Sequence, residues 1–489
     1  MSGISLQNKV SLKKNILMNS IRVLMQILFP LISFPYASRV LLPDGIGKVN
    51  LTTSIVAYFV LVASLGISTY GVRNGSAVRD ERDKFSIFIQ EVFIVNLITT
   101  LISTIVFVFV VFFVDALIPY RTLMLISGIT IIATPFGLDW LYGAKEDYAY
   151  ITKRAIIFQF ISLALLFILV KGPEDINKYA FISVFSTVGS NIINIIHSRS
   201  YVNWKFYGFK SYNLIRHLKP VMIIFGLNIA CNIYMDMDKT MLGFLRNDAE
   251  VGLYTAAYKV NTILLSFLNA IGAVLLPRMS HHLAKGEEEE SKELLKKSFN
   301  YILLLSFPMV CGLIFLSKPI IILFSGGEYI DAVPTMQILS LIILISGMGT
   351  TLSTQYFVVR GKEKVCLFAS SCAAVVNFVV NIILIPKLGH SGAAIATVIC
   401  EIVALIVLIM VIKRETQIRD LFRDVFSYLI SSVVMIPFLV IINALVSIEI
   451  LNVMLSVVVG AVVYFAVLIL FKNKYLIYFL DEIKGKMKR

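Results

Sequence analysis

The sequence predicts an all-α polytopic membrane protein: about fourteen transmembrane helices, in two pseudo-symmetric six-helix bundles followed by two further helices. Three observations carry this reading. The 489 residues are 58% hydrophobic and only 15% charged, whereas soluble domains are about a quarter charged. Apolar runs of roughly 20 residues, enough to cross a bilayer, recur from residue 16 to residue 471. Basic residues are concentrated on alternate connecting segments.

The N-terminal segment 1–15 is polar and carries Lys9, Lys13 and Lys14. The apolar run behind it continues to about Leu42, longer than the core of a cleaved signal peptide, so it reads as a retained first span. Pro30 and Pro35, in "FPLISFPY", interrupt that span and are hinge candidates, because proline removes a backbone donor and bends a helix. Residues 16–216 then form the first bundle, with spans near 16–38, 49–71, 86–114, 122–143, 149–170 and 178–198. The second bundle, 217–413, has spans near 219–245, 251–277, 298–325, 333–358, 365–385 and 391–412. The additional pair occupies 414–471, and a basic cytoplasmic tail fills 472–489.

A weak internal repeat supports the two-bundle division. "LPDGIGKVNLTTSI" (42–55) and "NDAEVGLYTAAYKV" (247–260) lead into the second and eighth spans. "YGAKEDYAY" (142–150) and "VRGKEKVCL" (359–367) follow the fourth and tenth. Copies six spans apart share one orientation, which is a parallel repeat of the kind that places substrate between two halves.

The formal net charge is +14, yet its distribution argues against nucleic acid. With the N-terminus in the cytoplasm, about 33 Lys and Arg fall on cytoplasmic segments and about 8 on external loops, so both termini are expected inside the cell. That charge faces anionic membrane lipid. The five cysteines lie in predicted spans without metal-ligand spacing. No phosphate-binding loop, zinc motif or nucleophile elbow is present, and no loop is long enough for a catalytic domain, so no enzyme, metal or cofactor is expected. The largest soluble piece, "HHLAKGEEEESKELLKK" (281–297), has acids first and lysines last, as a solvated helix favours.

Charges inside the spans are the functional candidates. From a rise of about 1.5 Å per residue, Arg22 lies about 10 Å inside the first span. By the same measure, Lys239 and Lys259 lie about 9 and 12 Å below the external ends of the seventh and eighth. Glu401 is close to mid-membrane in the twelfth. Asp236 and Lys239 are spaced to pair along one helix face. Asp238 points elsewhere, toward another helix or a cavity, and one acid of the trio is placed to lock a neighbouring basic side chain such as Lys259. Arg22, Lys239 and Lys259, with Asp238, are candidates to receive an anionic substrate; Glu401 and Asp236 are candidates for H⁺ or Na⁺ coupling. The asparagine pairs 191/194, 228/232 and 377/381 are expected to bond between helices rather than to bind sugar.

At "PYASRVLLPDGIGKVN" (35–50), "YFVLVASLGISTYGVR" (58–73) and "DKTMLGFL…EVGLYTAAYKV" (238–260) the chain resembles polysaccharide repeat-unit flippases. These form the Wzx-type branch of the multidrug/oligosaccharidyl-lipid/polysaccharide exporter superfamily, and the resemblance spans the whole chain. It implies two bundles around a central cavity in the bacterial cytoplasmic membrane. It also implies alternating-access transfer of an undecaprenyl-diphosphate-linked oligosaccharide to the external leaflet, for capsule, O-antigen or a related surface polysaccharide. The family's cavity cations map onto Arg22, Lys239 and Lys259, and its twelfth-span acid onto Glu401. Polysaccharide polymerase or export machinery is the implied protein partner, and a monomer is expected. Two other readings are a cation-coupled drug antiporter of the same superfamily and a membrane polysaccharide polymerase. The first normally needs an acid in the first bundle, where this chain has Arg22; the second needs a sizeable external catalytic loop.

Overall fold

Apolar stretches of this length satisfy their backbone donors and acceptors in a bilayer by closing hydrogen bonds within the segment, and the described apolar stretches are helical. The computed structural model describes residues 12–413 and 420–478. The polar N-terminus up to residue 11, residues 414–419 and the basic tail from residue 479 lie outside the described residues. Among the described residues there is no β-strand, and eleven helical stretches are long and apolar enough to cross a membrane. Two of these contain a non-helical residue, Leu42 in one and Gly389 in the other. Those breaks, together with the helix Ile215–Leu245, accommodate the fourteen apolar segments of the sequence.

The chain forms two compact units, one ending at Asp236 and the other beginning at Met237. The first contains α1 (Leu12–Ser64), α2 (Ile67–Val78), α3 (Arg82–Phe113), α4 (Arg121–Ala133), α5 (Asp139–Ala144), α6 (Tyr148–Leu169), α7 (Ile176–Val188) and α8 (Asn191–Ser198). Helix α9 (Ile215–Leu245) begins in it and continues past its border. The sequence repeat puts a border ahead of α9. The compact-unit border falls inside that helix instead, because Arg216 and His217 fasten its first turn to α3 through Glu91.

The break in α1 lies beyond Pro30 and Pro35. The helix runs through both prolines, and its non-helical residue is Leu42, at φ 60 and ψ 174. Leu42 precedes Pro43, and a residue before proline is driven out of the α region. Pro43 then opens the second arm, where its missing N–H costs nothing. In the core of this unit Gly71 lies against the Trp140 ring, so closely that an added Cβ would stand 2.7 Å from Trp140 Cδ2. Small residues of this kind let membrane helices approach.

The second unit holds α10 (Asp248–Ala284), α11 (Glu288–Ser325), α12 (Val333–Thr351), α13 (Glu363–Ile412), α14 (Val425–Leu445) and α15 (Glu449–Leu470). A π-helical stretch, Leu352–Val358, extends α12. Gly389 breaks α13 at φ 56, a conformation that favours glycine. The Glu250 carboxylate occupies the space a side chain there would need and accepts the His390 N–H at 2.6 Å. Tyr464, from α15, donates to Leu304 O at 2.8 Å and Tyr428, from α14, to Asn300 Oδ1 at 3.2 Å, so the additional pair is keyed to α11. Elsewhere large apolar side chains lie open, among them Phe113, Ile192 and Leu470, the last 81% exposed. Such a surface suits a hydrocarbon solvent.

Candidate functional site

In the first unit Arg22 is the membrane-embedded cation that the sequence singles out. It projects from α1 and is half-buried. Its Nη2 donates to Asn19 Oδ1 at 3.1 Å, one turn back. Its Nε is buried and meets no acceptor. A guanidinium presents five donors in a rigid fork, so Arg22 keeps capacity for an anion. Asp236 accepts from Ser54 Oγ at 3.3 Å, which ties α9 to the second arm of α1.

The second unit gathers four of the predicted residues. Asp238 is 2% exposed. Four neutral donors hold it: Tyr254 OH at 2.7 Å, Thr397 Oγ1 at 2.6 Å, Asn377 Nδ2 at 3.0 Å and Asn381 Nδ2 at 2.6 Å. A carboxylate costs several kcal/mol to bury, and only a full set of hydrogen bonds offsets that. Asn381 also donates to Asn377 Oδ1 at 3.0 Å, while its own Oδ1 is buried without a partner. Glu401 accepts from Ser346 Oγ at 2.8 Å, and both it and Asp238 act electrostatically on Cys400. Lys239 lies 5.8 Å from the Tyr258 ring centre and repels Lys259. The asparagine stripe 377/381 thus bonds between helices, as expected. The side chains of Asn228 and Asn232 lie outside the described residues.

Two charged clusters escape a sequence reading. Arg154 sits near the start of α6, close enough to the span end to read as interfacial; it is 8% exposed. It pairs with Asp139 Oδ1 at 2.7 Å and hydrogen-bonds Asn194 Oδ1. Tyr142 OH donates to the Asn194 carbonyl at 2.7 Å, and Tyr150 stacks on His197 at 3.8 Å between ring centres. This knot joins α5, α6 and α8. The second cluster centres on Glu91, which is fully buried. It is held by Arg216, by His217 Nε2 at 2.9 Å and by the Asn213 N–H at 2.6 Å. Tyr70 OH closes the chain at 2.6 Å from His217 Nδ1. Only the acid within "FIQEVFIVNL" (88–97) hints at it in the sequence.

Residues 12–283 match the family model described as "Polysaccharide biosynthesis protein", more than half of the chain. The chain belongs to this polysaccharide biosynthesis protein family. A second model, "Lipid II flippase MurJ", matches residues 244–471. Among individual relatives, a putative O-antigen transporter from Shigella dysenteriae is 24% identical over 82% of this chain and 100% of its own length. The capsular polysaccharide biosynthesis protein CapF of Staphylococcus aureus is 26% identical over 74% of this chain and 90% of its own. The structure of a lipid II flippase MurJ in an inward closed conformation superposes with a TM-score of 0.77 at 17% identity, covering 94% of this chain and 99% of that one. This member of the polysaccharide biosynthesis protein family therefore has a MurJ-like, multi-pass helical fold. Its flippase-type resemblance, read from motifs alone, agrees with these independent matches.

Proposed function

We propose that this protein is a flippase. It carries an undecaprenyl-diphosphate-linked oligosaccharide from the cytoplasmic to the external leaflet by alternating access, for assembly of a surface polysaccharide, and is not an enzyme. The observation that carries this reading is Arg22, a guanidinium inside a membrane segment with a buried donor facing no acceptor. A diphosphate is the type of group that such a fork binds most tightly. A putative O-antigen transporter matched over 82% of this chain supports a lipid-linked glycan as the cargo. Lys239 and Lys259 supply further cations, whose mutual repulsion an anion between them would relieve.

Coupling to H⁺ or Na⁺ belongs with Asp238, Asp236 and Glu401. Burial and four donors suit Asp238 to an ion rather than to contact with a glycan. Its carboxylate and the Tyr254 and Thr397 hydroxyls are hard oxygens, the donor type that suits a hard cation, and the carboxylate can alternatively take up H⁺. The protein works as a monomer in the bacterial cytoplasmic membrane with both termini inside, handing its cargo to a polymerase.

The sidedness of lipid-linked oligosaccharide in cells lacking the gene tests this function, with an externally added glycosidase as probe. An accumulated intermediate protected from the outside is the expected result. Accumulation on the outer face would mean that the protein acts after translocation. An unchanged pool would turn attention to ion-coupled export of small molecules, with export of a cationic dye dependent on Glu401 as the sign.

A further inference from the structure

Between α8 and α9 runs a loop, residues 199–214, with a single 3-10 turn at Phe209–Ser211 and an openly apolar surface. Phe206 is 64% exposed, Phe209 87%, and Ile215, just behind it, 79%. The rings are not scattered: Phe206 and Phe209 pack edge to face at 5.0 Å, and Phe206 stacks on Tyr212 at 5.8 Å. From residue 199 to residue 219 the sequence holds Arg199, Lys205, Lys210, Arg216 and Lys219 and no acid. Lys205 and Lys210 flank the two phenylalanines and are exposed.

The loop is also firmly held from behind. Gln90 donates to Asn203 O at 2.7 Å and accepts from Tyr212 OH at 2.5 Å. Tyr207 OH donates to Asp83 at 2.6 Å, and the Asn203 N–H to Ser86 Oγ at 2.9 Å. Trp204 lies against Phe93 at 5.4 Å between ring centres. A connector that merely tolerated exposed phenylalanines would turn them inward; this one is braced so that they face out.

We propose that the 199–214 loop is a docking surface for anionic phospholipid. Phe206 and Phe209 wedge into the acyl region of the leaflet while Lys205 and Lys210 engage phosphate-bearing headgroups. Aromatic rings favour the interfacial zone, and basic side chains near a membrane surface enrich anionic lipid there. Lys205 lies 3.9 Å from exposed Asp83 at the foot of the loop, a long, solvent-exposed pair that leaves the ammonium able to reach a headgroup. The occupant is a lipid rather than a protein segment because the loop itself carries only basic charge and its apolar part is a two-ring tip, not a groove. The surface lies on the cytoplasmic side in the topology proposed above, and the experiment below does not depend on that topology or on transport.

The chain has two tryptophans. Trp140 is buried, at 4% exposure, while Trp204 belongs to this loop. The whole protein is reconstituted into phosphatidylethanolamine vesicles containing a fixed fraction of brominated phosphatidylglycerol or, in a matched set, brominated phosphatidylethanolamine. Trp140→Phe isolates the Trp204 signal. Because Trp140 is buried, the unsubstituted protein serves as the reference if that variant is poorly made. Quenching by the brominated phosphatidylglycerol should exceed that by the brominated phosphatidylethanolamine by about twofold or more. Lys205→Gln/Lys210→Gln should bring the ratio to about one, and Phe206→Ser/Phe209→Ser should weaken quenching by both lipids. Equal quenching by the two lipids in the unsubstituted protein, or a ratio that survives loss of both lysines, overturns the proposal.

Discussion

Replacing Asp238 tests whether the buried network holds the second unit together, and its geometry ranks two substitutions. In Asp238→Ala four hydrogen bonds are lost at once. Tyr254 and Thr397 remain 3.0 Å apart and can pair, Thr397 also reaches Ala393 O at 2.9 Å, and Asn381 keeps Asn377 Oδ1 at 3.0 Å. Those three donors re-pair at a loss of about 1 kcal/mol each. Asn377 Nδ2 is left with only Cys400 Sγ at 3.9 Å, and a stranded buried donor costs about 1–3 kcal/mol. The total is about 4–6 kcal/mol. At about 2 °C per kcal/mol for a large domain, the midpoint should fall by about 10 °C. Asp238→Asn keeps one oxygen for the two asparagines and turns its amide toward two hydroxyls that can rotate to accept. Its cost should stay near 1 kcal/mol. A thiol-reactive fluorogenic dye is the suitable assay, because Cys400 is fully buried and Cys311 nearly so, both in this unit. If the two variants melt together, or Asp238→Ala melts within about 2 °C of the unsubstituted protein, the network does not stabilise the unit as argued.

Three other outcomes are expected. Arg22→Ala should reduce surface-polysaccharide export about 10- to 100-fold, as loss of a hydrogen bond to a charged group implies, with Arg22→Lys intermediate; export at normal levels in Arg22→Ala removes that residue from the site. Gly71→Ala should cost about 1–3 kcal/mol by overpacking against Trp140, seen as a lower midpoint in tryptophan fluorescence and partly restored by adding Trp140→Phe. The hydrogen bond from His282, 2.6 Å away, holds the Glu287 carboxyl below its ordinary value, with nearby Lys285 adding to it. A depressed folded-state value means that this contact stabilises the α10–α11 turn above the usual carboxylate range and is lost as pH falls through the folded value. Hydrogen exchange over 283–291 should therefore separate Glu287→Gln from the unsubstituted protein at neutral pH, with the difference persisting through the ordinary glutamate range and vanishing only at pH values below it.

Hydropathy makes the helices legible because a bilayer leaves no other way to satisfy the backbone. It also exposes Arg22, Asp238, Lys239, Lys259 and Glu401, since a charge in an apolar run is conspicuous. The partners of those charges are another matter. Tyr254, Thr397 and Ser346 are uncharged and common in membrane helices, so nothing in the sequence marks them as the groups that surround Asp238 and Glu401. Arg154 and Glu91 sit near span ends, where a charge reads as interfacial although both are buried. The position of the break in α1 is hidden for a different reason. Proline is read as a breaker wherever it occurs, yet Pro30 and Pro35 are absorbed within the helix, while Pro43 acts on its predecessor, Leu42.

The border inside α9 bears on how this chain could be divided. Gly208 lies in the loop ahead of α9, at φ 88 with nothing within 4 Å of a side chain placed there, and is the natural point at which to split the gene. The downstream piece would then begin with the stretch carrying Asn213, Arg216 and His217, all three of which grip Glu91 of the upstream piece. Two separately encoded fragments would thus possess a ready-made clasp, and fragment complementation across Gly208 should succeed where a cut at residue 236, through the body of a helix, should not.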